Sequence, residues 1–310
     1  MNGNTTRYFN CAISIIILCL INASSHAGGL LAVDFEEAEF SFPLIIDNPY
    51  WPLRPDSGPR TFVYVAKTED ECVIDKLSIN DNFYGGTYEL STDDVNSPYY
   101  GLTVVQVVDT EWVYEDIDEE DCNAELVLDD DAIKELTLDW YVQDDKQNIW
   151  YVGEASRDFE PPCPSLAAVP IGGDFGDEEL EEECTGGSWE AGITAGDEGE
   201  EVTAAAGIIV PSNEPVDGQL LENGTSYMQE FAFDAQDMAK ILKLKTSLTV
   251  DEGDFAGEYE NCRKVKEWNP YEPGASVEHK IYCADGAGLM LTEGVGGGVT
   301  ERELLFRVVE

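Results

Sequence analysis

Two cysteines set symmetrically about a turn constrain this chain more than any other feature. Cys262 stands in EYENCRKVKEW (258–268) and Cys283 in SVEHKIYCADG (276–286), with the turn-rich NPYEPGA (269–275) between them. The midpoint of the two cysteines falls inside that turn. In a symmetric antiparallel hairpin they would lie opposite one another, within bridging distance. One inserted residue would send the two side chains to opposite faces. The spacing therefore predicts a Cys262–Cys283 disulfide and the register of a hairpin together.

The other cysteines extend the pattern. Eight are present, and Cys11 and Cys19 fall in the N-terminal leader. Cys163 and Cys184 bracket a Pro/Gly/acid segment with little strand or helix signal, where a bridge would pin a long loop. Cys72 and Cys122 then pair by elimination. An even cysteine set without C-x-x-C argues for disulfides in an oxidising compartment, not for a redox dithiol or a zinc knuckle.

The leader agrees with that destination. The apolar run AISIIILCLI (12–21) is too short to span a bilayer and suits a signal-peptide core. Ser25 and Ala27 place small residues at −3 and −1 of a cut after Ala27. Residues 1–27 are expected to be a signal peptide and residues 28–47 an acidic extension. Residues 48–310 would form a single antiparallel β domain with an acidic insertion at about 161–186. The expected localisation is secreted or periplasmic.

Charge removes whole classes of function. The chain holds 64 Asp and Glu against 17 Lys and Arg, a formal net charge of −47. Such a chain repels nucleic acid and anionic membrane surfaces. Its richest basic cluster is Lys240, Lys243, Lys245, Arg263, Lys264 and Lys266, and we expect these residues to neutralise the protein's own carboxylates. The acidic runs EDIDEEDCNAE (115–125), DDD (129–131), DEELEEE (177–183) and DEGEE (197–201) read as solvated surface. Calcium is the alternative occupant, since it favours clustered carboxylates. No EF-hand spacing occurs, however, and DEGDFAGEYE (251–260) reads better as a turn.

The remaining pattern is strand-rich. TFVYVAK (61–67) and GLTVVQVVDTEWVYED (101–116) are β-branched and aromatic, and further strands are expected at 245–250, 258–268, 276–283, 288–295 and 299–309. DAQDMAKILKL (234–244) reads as the one short helix: Asp234 would cap it, and Met238, Ile241 and Leu242 fall on one face. In LTLDWYVQDDKQNIWYVGE (136–154) two aromatic arms flank a turn, with Asn148 suited to its left-handed position. Trp140 and Val142 share one parity in their arm, as do Trp150 and Val152 in theirs; Tyr141 and Tyr151 take the other. The tryptophan face reads as core. The fold class is mostly β: an antiparallel half-barrel or sandwich, stapled by disulfides.

Several phrases resemble an uncharacterised family of exported bacterial β-rich proteins: NPYWPL (48–53), DWYVQD…NIWYVGE (139–154), GSWEAG (187–192), IIVP (208–211), YMQEF (227–231), EWNPYEPG (267–274) and HKIYCADGAGL (279–289). In that family a late strand ends in a turn like YxAPGVGLV. Asp285 replaces the usual proline here, and residues 164–183 are an added insertion. The ending is also similar to the half-barrel domains of periplasmic lipoprotein-carrier and TapB-like proteins. The first resemblance spans about Asn48 to Leu305 and implies the β fold. It brings no catalytic residue with it.

The available chemistry is narrow. Beyond the leader His279 is the one histidine, so a His-rich metal site is excluded within one chain. No G-x-S-x-G elbow or P-loop occurs, and the glycines at 294–298 are hairpin glycines. Carboxylates beside tryptophans remain: Trp140 with Asp139, Trp150 with Glu154, Trp189 with Glu190, Trp268 with Glu267. The candidate ligand-binding residues are therefore Trp140, Trp150, Glu154, Trp189, Glu190 and Trp268. The leading expectation is a non-enzymatic exported binding or structural protein for an apolar or sugar-like ligand, with no cofactor beyond calcium. Its rivals are a carbohydrate-active hydrolase using paired carboxylates and a calcium-binding surface protein.

Overall fold

The computed structural model describes residues 29–53, 60–67, 71–79, 86–115, 117, 121–123, 126, 128–129, 132–159, 163, 184, 187–196, 201–233, 235–251, 255–271, 277–284, 288–295 and 305–309. Strands β1 (Arg60–Lys67), β2 (Glu71–Ile79), β4 (Thr103–Glu115), β5 (Ile133–Gln143) and β6 (Ile149–Asp158) run antiparallel side by side. Two short strands flank them: β3 (Thr87–Glu89) on β4, and β7 (Trp189–Glu190) on β6. A small ribbon of β8 (Thr194–Ala195) and β9 (Val202–Thr203) stands apart. The main sheet continues from β6 through β10 (Ala205–Val210), β11 (Ser226–Phe231), β12 (Gln236–Val250), β13 (Gly257–Trp268), β14 (Val277–Cys283) and β15 (Gly288–Gly294). Finally β16 (Leu305–Val309) pairs with the free side of β1. The sheet curls until its two edge strands, β15 and β16, come into contact. Near that seam the Tyr64 hydroxyl of β1 donates to the Leu289 carbonyl of β15 at 3.3 Å. The architecture is a curled antiparallel half-barrel, as the strand pattern predicts.

The expected helix is not formed. Residues 236–250 belong to a strand, β12, and Asp234 lies outside the described residues. A register shift between Ile241 and Lys243 explains the misreading. The extra residue of a bulge breaks the two-residue alternation, and the broken alternation of Met238, Ile241 and Leu242 imitates helical spacing. Among the described residues the one helical element is a 3-10 turn, Phe35–Glu37, where the Asp34 carboxylate accepts the Glu36 N–H at 3.0 Å. No helix among these residues is long and apolar enough to cross a membrane.

All three expected disulfides are present. Cys262 faces Cys283 with their Cα atoms 4.0 Å apart, and the register runs unbroken to Trp268 opposite Val277. Cys72–Cys122 pins the chain over the outer face of β1, β2 and β4, where Val63, Val65, Ile74, Val108 and Trp112 make a second small core. Cys163–Cys184 closes the insertion; residues 164–183, like the expected signal peptide, lie outside the described residues.

The acidic extension is packed, not free. Leu31, Phe35 and Ile46 are buried, and Phe35 meets Trp150 edge-on at 5.1 Å. The Leu31 N–H donates to the Ser226 carbonyl at 2.7 Å. In the 136–154 hairpin it is Gln147, at φ 68°, that takes the left-handed turn position expected of Asn148. Asn148 is instead fully buried as a cross-link: its amide nitrogen donates to Asp144 and to the Pro215 carbonyl, while its oxygen accepts the Ser212 N–H.

Candidate functional site

Alternation sends every second residue of each strand into the hollow of the half-barrel. In β1 and β2 those residues include Ala66, Val73, Asp75 and Leu77; in β4 and β5, Asp109, Glu111, Asp139 and Tyr141. Tyr151 and Glu154 enter from β6. The opposite wall brings Glu230 from β11, Asp237 from β12, Glu267 from β13, and Glu278, Lys280 and Tyr282 from β14. The cavity has a volume of about 360 Å³, and among the described residues nine carboxylates but a single ammonium line it.

The register makes this arrangement costly. Asp75 lies directly opposite Glu111, Asp139 opposite Glu154, Glu230 opposite Asp237, and Glu267 opposite Glu278. Like charges facing each other across a strand pair destabilise a sheet. Four such pairs on one inward face are more than solubility calls for, since solubility is served by the outer surface.

Local contacts hold the carboxylates in place. Glycine is required at position 153, where φ is +148° and a Cβ would come within 2.5 Å of the Trp189 carbonyl. The register shift beside it, between Trp140 and Tyr141, aligns Asp139 with Glu154. The Tyr151 hydroxyl contacts both, donating to Asp139 at 2.6 Å and lying hydrogen-bonded to Glu154. Glu230 accepts the Trp189 indole N–H at 3.1 Å. Lys280 pairs with Glu267 at 2.7 Å, and Glu267 also accepts Gln229 at 3.0 Å and Tyr282 at 3.3 Å.

These surroundings change protonation. Burial, helped by the charge of Asp237, pushes Glu230 up to about 8. Burial, then the charge of Asp109, raises Asp139, although the Tyr151 hydroxyl opposes the shift. Glu154 is held well above the carboxylate range by burial, then by Asp139 and Glu230. Asp75 and Asp109 are raised by burial and share a hydrogen bond, which requires a proton between them. Burial alone would lower Lys280, but Glu267 and Glu278 outweigh it and raise the ammonium. Burial thus holds several carboxyls of the hollow in their protonated form beyond the ordinary carboxylate range.

Two polar atoms on this wall lack partners among the described residues: the Trp51 indole nitrogen and Asp75 Oδ1. Trp51 is 8% exposed and packs against Tyr141 at 6.2 Å and Tyr282 at 5.7 Å, closing one part of the hollow with an aromatic wall. Tyr141 and Tyr151 stack at 5.0 Å beside it. Among the described residues, no group of three or more Asp, Glu, His or Cys side chains could hold a metal ion.

The structure distributes the expected site residues among several places. Of these only Glu154 lines the acidic hollow; Trp189 touches it through Glu230. Trp140 lies on the other face of β5, stacked on Tyr88 at 4.2 Å and donating to Gln106 at 2.9 Å. Glu190 is a clamp, accepting the Tyr88 and Ser91 hydroxyls, each at 3.0 Å, and the Ser91 N–H. Trp150 and Trp268 line a separate apolar cavity outside the sheet. His279 sits on β14 with its ring 3.9 Å from Glu293. Of the hollow's carboxylates the sequence reading named Asp139, Glu154 and Glu267, as neighbours of tryptophans; the others escaped it, yet a signal for the aspartates exists. VIDKL (73–77), VVDTEW (107–112) and LTLDWYV (136–142) each set an aspartate among β-branched or aromatic residues.

The basic cluster also departs from expectation. Lys264 does pair with a carboxylate, Glu293, at 2.7 Å. Arg263 is buried with the Pro211 carbonyl, Asn213 and the Tyr50 ring, its guanidinium 3.8 Å from the ring centroid. Among the described residues no carboxylate lies within ion-pair distance of Lys240, Lys243, Lys245 or Lys266. Lys240 and Lys266 lie on the outer face, while Asp237 and Glu267 of the same strands point into the hollow.

Compared with known proteins, the chain matches no family model, no curated protein and no solved structure. The resemblance of the phrases quoted above therefore rests on those phrases alone.

Proposed function

We propose that this is an exported binding protein whose half-barrel hollow takes a small organic cation. The observation that carries this reading is the set of four like-charged pairs in register on the inward face. A site with this lining repels anions and offers an apolar ligand little dry wall. A single metal ion needs a compact ligand set, and the carboxylates here are spread around the cavity instead. An amine-bearing molecule with charges several ångströms apart would meet successive pairs, its methylenes lying against Tyr141, Tyr151 and Trp51. The unpartnered Trp51 indole N–H would suit a hydroxyl or carbonyl on the same ligand. The three disulfides are consistent with an oxidising compartment, and with the leader they support a secreted or periplasmic location.

Titration calorimetry with linear diamines and triamines of increasing length tests the proposal. We expect binding with one-to-one stoichiometry, tighter at pH 8 than at pH 5, accompanied by proton release. Uptake no stronger than that of a monovalent salt would sink it, as would binding left unchanged when Asp139 and Glu230 are both replaced by their amides. Saturable calcium binding without amine binding would favour the divalent-cation reading.

A further inference from the structure

The outer face of β11, β12 and β13 carries two adjacent rows of opposite character. Met228, Met238 and Trp268 lie in one row, with Met238 directly opposite Trp268 and next to Met228. In the next row Ser226 faces Lys240, and Lys240 faces Lys266. The segment 29–33 crosses above them and encloses a cavity of about 490 Å³. Its walls include Leu31, Trp150, Ile208, Met228, Met238 and Trp268, with Lys240 as the one charged side chain among the described residues. Lys266 lies over the Trp268 ring at 5.1 Å and so borders the same place.

We propose that this outer cavity binds a single-chain amphiphile with an anionic head, of the fatty-carboxylate class. The tail lies against the methionines and tryptophans, and the carboxylate sits on Lys240 and Lys266. Two lysines in direct cross-strand opposition repel each other, and in a chain of net charge −47 nearby carboxylates are plentiful. That neither lysine has one within ion-pair reach among the described residues leaves a place for an anion brought from outside. An anionic bilayer or a second copy of the chain would have to face the rest of the acidic surface, which repels both over roughly a Debye length of 8–10 Å. A single small molecule entering a walled cavity meets the local lysines first. The site is on the opposite face of the sheet from the acidic hollow and does not depend on it.

The test uses the full exported chain carrying D139N and E230Q, so that cation uptake by the acidic hollow does not contribute, and three probes with one tail: decanoate, decanol and decyltrimethylammonium, each below its micelle concentration. Binding is followed by tryptophan fluorescence, to which Trp150 and Trp268 contribute, and by calorimetry. The net charge favours the cationic probe, whereas the lysine row predicts the reverse order. We expect decanoate to bind about tenfold more tightly than decanol, and decyltrimethylammonium to bind most weakly. In K240Q/K266Q the advantage of decanoate over decanol disappears while decanol affinity is kept, which also shows that the fold is intact. K245Q, an exposed lysine away from the cavity, leaves the order unchanged. Equal affinities for the three probes would overturn the proposal, and so would a preference for the cation or undiminished decanoate binding by K240Q/K266Q. Association with anionic vesicles but not with monomeric decanoate would point to a membrane surface instead, and would also overturn it.

Discussion

Replacing Glu230 by glutamine should stabilise this protein in alkali and leave it nearly unchanged in mild acid. Glu230 faces Asp237, accepts the Trp189 indole N–H, and is pushed up to about 8 from an ordinary value of 4.5. Below about pH 4.5 both the folded and unfolded chains hold the proton, and the carboxyl carries no penalty. Between about 4.5 and 8 only the folded chain holds it, so stability falls by about 1.4 kcal/mol per pH unit. Above about pH 8 the loss is complete. The whole interval sets an upper bound of about 5 kcal/mol. Water in the hollow and relaxation around the charge screen part of this, and we expect about 2–3 kcal/mol. Glutamine keeps the shape and an oxygen for Trp189 but never ionises. Urea denaturation of both proteins, at about pH 4.5 and about pH 8.5, reads the difference directly. The two should coincide in acid and separate in alkali, with the glutamine variant the more stable. An equal gap at both pH values, or a wild-type advantage at the higher one, would refute the idea that a buried ionisation strains this fold.

Three other perturbations probe separate parts of the structure. Lys280→Met removes the one ammonium from the hollow and should destabilise by about 3 kcal/mol near pH 8, with the loss shrinking in acid as the carboxylates protonate; denaturation across pH shows whether it does. Replacing Cys262 and Cys283 by serine opens a bridge across a sequence separation of 21 and should cost roughly 3 kcal/mol on the chain-entropy estimate, seen as a lowered midpoint without loss of β-type circular dichroism. Gly153→Ala forces a Cβ against the Trp189 carbonyl and should cost more than about 1 kcal/mol, with weaker amine binding because Asp139 and Glu154 fall out of register; unchanged stability would show that the bulge can shift freely.

Much of the fold was legible because its signals are local. Cys262 and Cys283 stand at equal distances from a turn, and no bulge intervenes, so counting residues was enough. The same counting failed at β12, where the residue inserted after Ile241 turned a strand alternation into a false helical one. The site was harder to read for a different reason. Asp75, Asp139 and Glu230 lie on three distant stretches, and only the curl of the sheet turns their inward parities toward a common space. In a chain with 64 acids, an acid beside a tryptophan carries little information, and Trp140 and Glu190 proved to be packing and clamping residues. An aspartate at an inward position of an apolar strand carries more. Finding that position requires knowing which face is inward, and in β5 both faces are buried.

The order of strands also sets an order in time. β1 has β2 beside it almost at once, but its other edge stays open until β16, beginning at Leu305, has emerged. Throughout synthesis, the row of backbone groups on β1 is a template for any extended segment that arrives first. Pairing across so great a sequence distance is slow. The acidic runs between the two strands then gain a role independent of the finished structure. Their like charge repels other copies of the chain while that edge is exposed, which favours pairing with its own last strand.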